Sequence, residues 1–274
     1  MRIYDAHNHL QDPRLAGRQE DLLRQSVESG LVRAVVNGSC EADWAAVQQL
    51  ARSHPEVVPC YGCHPWFLDQ RSDEWLAQLE QYLQNPASAV GEIGLDRSRQ
   101  GLSYAGQEEA FLVQWRLASR LNRPASIHCQ QAWERLLDLV RANPGPQCGW
   151  LLHSFGGSQE WIPELHRLGA YFSFSGSFLN PRKTRLMETF RHVPPDRLLI
   201  ETDAPNQPLV SPLSSHVLQT DQGQILNHPA NLRVVYEELA RFLGLDPQVM
   251  AAQVESNFQR LFSTVSLSST KGKA

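Results

Sequence analysis

The chain has 274 residues, 42% of them hydrophobic and 20% charged, with 17 glycines and 17 prolines, an ordinary globular composition. Its formal charge of −4 excludes a strongly basic nucleic-acid coat protein but not a nuclease, because the local field of a cleft matters more than the total. No apolar run reaches the about 20 residues that span a membrane, Met1–His7 lacks the apolar core of a signal peptide, and five scattered cysteines (Cys40, Cys60, Cys63, Cys129, Cys148) argue against a disulfide framework, so a cytosolic chain is expected.

Short β-branched runs alternate with amphipathic stretches. In chain order the expected strands are Ile3–Asn8, Val32–Gly38, Val57–Gly62, Ala89–Leu95, Ala125–Cys129, Trp150–His153, Ala170–Ser175 and Leu198–Thr202. Helical patterns lie between them, such as Gln107–Leu121, where Phe111, Gln114, Trp115 and Ala118 share a face. Eight strands alternating with helices predict a single-domain (β/α)8 TIM barrel over residues 1–262, with an open doubly wound sheet as the alternative. The Pro/Ser/Asn/Gln-rich stretch Ala204–Asn231 follows the last strand and reads as a substrate-facing lid. The Ser/Thr/Lys-rich tail, Ser263–Ala274, is expected to be disordered.

Chemistry collects where the apolar runs stop. The first strand ends Asp5-Ala6-His7-Asn8-His9, and residues two apart on a strand project the same way, so His7 and His9 can share one cation. The fourth strand carries Glu92 among the glycines Gly91 and Gly94, which allow close backbone approach. The fifth and sixth end in His128 and His153, and the eighth runs Glu201-Thr202-Asp203. Taken singly, each is an ordinary capping or surface residue; in a barrel they ring one mouth.

Four imidazoles and two carboxylates are too many ligands for one four-coordinate Zn²⁺. They suit two divalent ions with one carboxylate bridging, an arrangement used for in-line displacement at phosphorus. Mixed nitrogen and oxygen donors do not choose among Zn, Mn, Mg and Fe. The three lysines, Lys183, Lys271 and Lys273, lie away from strand ends, so a carboxylated lysine is excluded as the bridge.

The strand-end set, together with Gly-Cys-His-Pro (62–65), Gly-Glu-Ile-Gly-Leu-Asp (91–96), Glu-Thr-Asp-Ala-Pro (201–205) and Asn-Phe-Gln-Arg-Leu-Phe (257–262), resembles the TatD family of metal-dependent hydrolases. The likeness runs from Asp5 to Phe262 in family order. It implies a TIM barrel and a metal-dependent deoxyribonuclease acting on DNA or a small phosphate ester. It also implies His7, His9, Glu92 and Asp203 around one metal, and His128, His153 and the bridging Glu92 around the other. Asp203 would orient or deprotonate the attacking water.

His64 and Arg99 align with family positions near the substrate, and Trp66 is a candidate for stacking on a base. Three departures stand out. Cys129-Gln130-Gln131 replaces the usual Ser-Arg-Asp, removing an arginine that would grip a phosphate. Asn227-His228-Pro229 replaces Asn-Glu-Pro, and Ser154-Phe155-Gly156-Gly157 differs mildly from the usual pattern. The altered grip keeps a second reading open, a hydrolase of amide or lactone bonds, and a third is a non-catalytic metal-binding scaffold. Arg182, Lys183 and Arg185 read as a solvated helix start that could also track a backbone. Cys60 and Cys63 read as buried thiols, and Asn37-Gly38-Ser39 as a turn. No obligate protein partner is indicated.

Overall fold

The computed structural model describes residues 1–265. Eight strands form one parallel sheet in sequence order: β1 (Ile3–Asn8), β2 (Leu31–Asn37), β3 (Val57–Tyr61), β4 (Ala89–Asp96), β5 (Ala125–Gln130), β6 (Trp150–Leu152), β7 (Ala170–Ser175) and β8 (Leu198–Glu201). After each comes a helix: α1 (Gln19–Glu28), α2 (Glu41–Ser53), α3 (Trp75–Tyr82), α4 (Tyr104–Leu121), α5 (Trp133–Ala142), α6 (Ile162–Arg167), α7 (Thr184–Thr189) and α8 (Leu232–Leu243), with α9 (Pro247–Leu261) added at the end. This is the (β/α)8 TIM barrel, and each expected strand end lies within one residue of its observed position. The fourth helix begins earlier than its apolar stripe because Ser103 caps it, its hydroxyl accepting from Gly106 N at 3.1 Å.

The strands are buried along almost their whole length, as expected where helices cover the outer face and neighbouring side chains fill the inside. The buried stripe of α4 contains the four residues that its sequence spacing brings together. At the seam the sheet returns on itself. Asp203 N donates to His7 O at 2.9 Å and His9 N to Ala204 O at 2.7 Å. The buried Asp5 carboxylate accepts from Thr202 N at 3.0 Å and Thr202 Oγ1 at 2.6 Å, tying β8 to β1 below the two histidines.

At the opposite end, Asn257 on α9 donates to Leu198 O at 2.8 Å, fastening that helix under the start of β8. The 204–231 segment is not structureless, for it holds a hairpin of β9 (Leu218–Gln219) and β10 (Ile225–Leu226). His228 packs against His216, ring centroids 5.0 Å apart. It is buried, and its Nδ1 accepts from Ala230 N at 3.1 Å as a cap. The tail expected to be disordered lies, beyond Val265, outside the described residues. Among the described residues no helix is long and apolar enough to cross a membrane.

Candidate metal centre

The end of β1 and the middles of β4 and β5, with the residues just past β1, β3, β6 and β8, bring His7, His9, His64, Glu92, His128, His153 and Asp203 into one buried cup. Glu92 is its hub. Its Oε2 lies 3.2 Å from His9 Nε2 and 3.4 Å from His7 Nε2. Its Oε1 lies 2.9 Å from His153 Nε2 and 3.3 Å from both His128 Nδ1 and His64 Nε2. Asp203 Oδ1 stands 3.4 Å from His9 Nε2.

Local backbone chemistry makes the crowding possible. Gly94 sits opposite His128 in the β4–β5 register, at φ +152°, where a Cβ would lie 1.9 Å from the His128 carbonyl oxygen. Only glycine lets the two strands close to that separation. Past β8, Asp203 takes the left-handed conformation (φ +55°), which aspartate tolerates better than most residues.

The outer nitrogen of each imidazole sorts these histidines by tautomer. A carbonyl or carboxylate can only accept; with a cation between the rings and Glu92, the ring nitrogen facing an outer acceptor carries the proton and the inner nitrogen's lone pair faces the cation. His9 Nδ1 faces Asn37 O at 2.8 Å, His153 Nδ1 faces Glu201 Oε1 at 3.4 Å, and His128 Nε2 faces Asp96 Oδ2 at 2.8 Å. His7 Nδ1 faces the Ser126 hydroxyl at 2.9 Å, which allows the same arrangement. His64 is reversed. Its Nδ1 accepts from Trp66 N at 3.1 Å, so in the neutral ring Nε2 bears the proton and points a donor, not a lone pair, toward Glu92.

The donor set therefore fits divalent cations. Four imidazole lone pairs and two carboxylates converge, and Asp203 Oδ1 is buried with no hydrogen-bond partner among the described residues. Its other oxygen is held by Gln207, whose Nε2 donates to Oδ2 at 2.6 Å. In the metal-free protein, protons do part of a cation's work. Burial opposes charging His9, yet Glu92 and Asp203 outweigh it and lift its pKa to about 9. His153 is also raised well above the usual range, the charges of Glu92 and Glu201 overcoming burial. Burial pushes Glu92 upward, but the surrounding histidines hold it well below the usual carboxylate range. Burial holds His64 down to about 4, neutral at working pH.

The TatD related DNase model matches residues 4–263. The chain belongs to that family. Among TatD relatives, the 3'-5' ssDNA/RNA exonuclease TatD of Escherichia coli (strain K12) is 29% identical over 95% of this chain and 98% of its own length. The uncharacterized metal-dependent hydrolase YjjV of the same strain is 30% identical over 76% of this chain and 81% of its own. The solved structure of Escherichia coli YjjV, a TatD homolog, superposes with a TM-score of 0.86 at 26% identity, covering 95% of this chain and 98% of that one. A TatD family hydrolase from Entamoeba histolytica shares the fold, with a TM-score of 0.83 at 19% identity over 95% of this chain and 98% of that one.

The remaining sequence candidates flank the cup. The Trp66 indole N–H donates to Asp96 Oδ2 at 2.7 Å, and the Arg99 guanidinium lies 4.6 Å from the Trp66 ring centroid. Trp66 thus braces the carboxylate that orients His128 while keeping 39% of its surface exposed. Cys60 and Cys63 are buried free thiols, as expected. Gln130 is exposed at the end of β5. Several participants were not singled out from sequence: Asp96, Glu201, Ser126, Gln207 and the Asn37 carbonyl. For Glu201 a signal existed, since it is two residues before Asp203 at a strand end.

Proposed function

We propose that the chain is a metal-dependent phosphodiesterase that hydrolyses nucleic acid, with two divalent ions held by His7, His9, His128, His153, Asp203 and the bridging Glu92. The observation that carries this reading is the cup itself, in which overlapping groups of imidazoles and acids gather around Glu92 and Asp203, and His9, His128 and His153 each turn their outer nitrogen to a fixed acceptor. The exonuclease name of the 29% identical relatives supports nucleic acid as the substrate class. When bound, such ions polarise the phosphoryl oxygen and acidify a water, and two of them stabilise both the attacking and the leaving oxygen.

The protein's own groups do the rest. Asp203 Oδ1 receives the proton of the attacking water, because Gln207 occupies the other oxygen and fixes the carboxylate's direction. His64 stays neutral, its tautomer set by the Trp66 backbone, and its Nε2 proton, which faces Glu92, turns to a phosphoryl oxygen bound beside that carboxylate. Asp96 and Glu201 hold His128 and His153 in the ligating tautomer. Trp66 offers its exposed face to a base and Arg99 an outer charge to the strand.

The test is Asp203→Asn on the metal-loaded protein, assayed on single-stranded DNA, RNA, an amide panel and a lactone panel. The variant should keep its fold and most of its metal while phosphodiester turnover falls at least about a hundredfold. Wild-type hydrolysis confined to amides or lactones would overturn the phosphodiesterase assignment, and unchanged kcat would remove Asp203 from the reaction.

A further inference from the structure

We infer that Lys183 forms a cationic subsite for the phosphate adjacent to the scissile one on a bound nucleic-acid strand, an assignment that rests on the phosphodiesterase reading above. Lys183 is the only lysine among the described residues. It follows β7 at the mouth of the barrel, beyond the turn Gly176–Leu179.

Its ammonium is half-buried, donates to Ser177 Oγ at 3.1 Å, and lies 5.6 Å from the centroid of the Phe178 ring. No carboxylate pairs with it among the described residues, so the partly desolvated charge is met only by the Ser177 hydroxyl and the Phe178 ring. Burial lowers its pKa, so an anion brought beside it would relieve an existing cost.

The position relative to the cup follows from a chain of hydrogen bonds. Ser177 Oγ donates to Gln207 Oε1, and Gln207 Nε2 donates to Asp203 Oδ2. One serine and one glutamine therefore separate the ammonium from the carboxylate assigned to the attacking water. Lys183 stands beside the reacting centre and outside it, where a strand threaded through the cup would lay its next phosphate. Arg182 and Arg185 flank it, both exposed, and neither forms an ion pair among the described residues. At the end of β5 stands the neutral, exposed Gln130. Lys183 thus adds a cationic contact on the β7 side of the mouth to the outer charge of Arg99 beside Trp66. A point charge of this kind positions a backbone without reading bases.

The experiment compares wild type, Lys183→Met and Lys183→Arg in their metal-loaded forms. Methionine keeps an apolar stem in the half-buried position and removes the charge. The substrates are an oligothymidylate of about eight nucleotides and bis(p-nitrophenyl) phosphate, which has one phosphodiester and no neighbour. For K183M, KM on the oligonucleotide should rise about tenfold with kcat held, as for loss of one ionic contact. The ratio of kcat/KM on the two substrates should fall by the same factor. The slope of log KM against log salt should shrink by about 0.7, and K183R should restore most of the loss. Equal losses on both substrates, or an unchanged oligonucleotide KM in an enzyme that cleaves it, would overturn the subsite alone. A wild type that hydrolyses the small diester but neither binds nor cuts the oligonucleotide would overturn the nucleic-acid reading and the subsite together.

Discussion

Replacing Glu201 by glutamine separates the charge of a buried carboxylate from its shape. Glu201 Oε1 accepts from Ser154 Oγ at 2.6 Å and faces His153 Nδ1 at 3.4 Å, while Oε2 accepts from Ser173 Oγ. A glutamine with its oxygen at the first position keeps the Ser154 and His153 donors. Its amide nitrogen then faces Ser173, whose hydroxyl proton can turn to Leu152 O, already 3.4 Å away. The second amide proton meets no acceptor among these partners, so the substitution combines one lost charge beside His153 with one unpaired N–H. The difference between a charge-assisted and a neutral hydrogen bond is about 1–1.5 kcal/mol, or roughly a tenfold weakening at the metal position that His153 serves. Calorimetric titration of the chelated protein with Zn²⁺ or Mn²⁺ measures it directly, and thermal melting of the metal-free protein should move by no more than about 6 °C. An unchanged metal affinity alongside a large drop in melting temperature would show that Glu201 is a packing residue, and the tautomer argument for His153 would fail with it.

Two more outcomes follow from the same cup. His9 has a folded pKa raised to about 9 from an ordinary value of 6.5, so its contribution to metal-free stability is complete below pH 6.5 and is lost as pH rises through about 9. The melting temperature of chelated protein should therefore fall across that window, by roughly 5 °C, while metal affinity rises because ions must displace those protons; parallel melting curves with and without metal would refute this. Gly94→Ala should cost at least about 3 kcal/mol and weaken metal binding, because the new Cβ must displace the His128 backbone. Gly101→Ala, at φ +84° with nothing within 4 Å, should cost only about 1 kcal/mol. Equal penalties in urea titrations would contradict the close-approach argument.

The eight strands, and the gathering of four histidines and two acids around one mouth, were legible in the chain because both depend on local rules. A β-branched run of a strand's length announces a strand, and a polar residue where the run stops sits at a barrel mouth whatever its neighbours are. His7 and His9 share a direction through strand periodicity alone, and the glycines around Glu92 mark where two backbones come together.

What the imidazoles do with that placement was decided only by the assembled barrel. His64 and His128 look alike in sequence, yet one ring nitrogen accepts from Trp66 N and the other faces Asp96, so the two rings meet different partners outside the cup. Asn37 reads as a turn residue, but its carbonyl fixes the tautomer of His9 from the neighbouring strand. Gln207 reaches Asp203 from an irregular segment, and Lys183 connects to both only through Ser177. Periodicity fixes the side from which a residue projects. The hydrogen-bond partner it meets there belongs to another strand or loop, and barrel register and closure, not any local pattern, bring the two together.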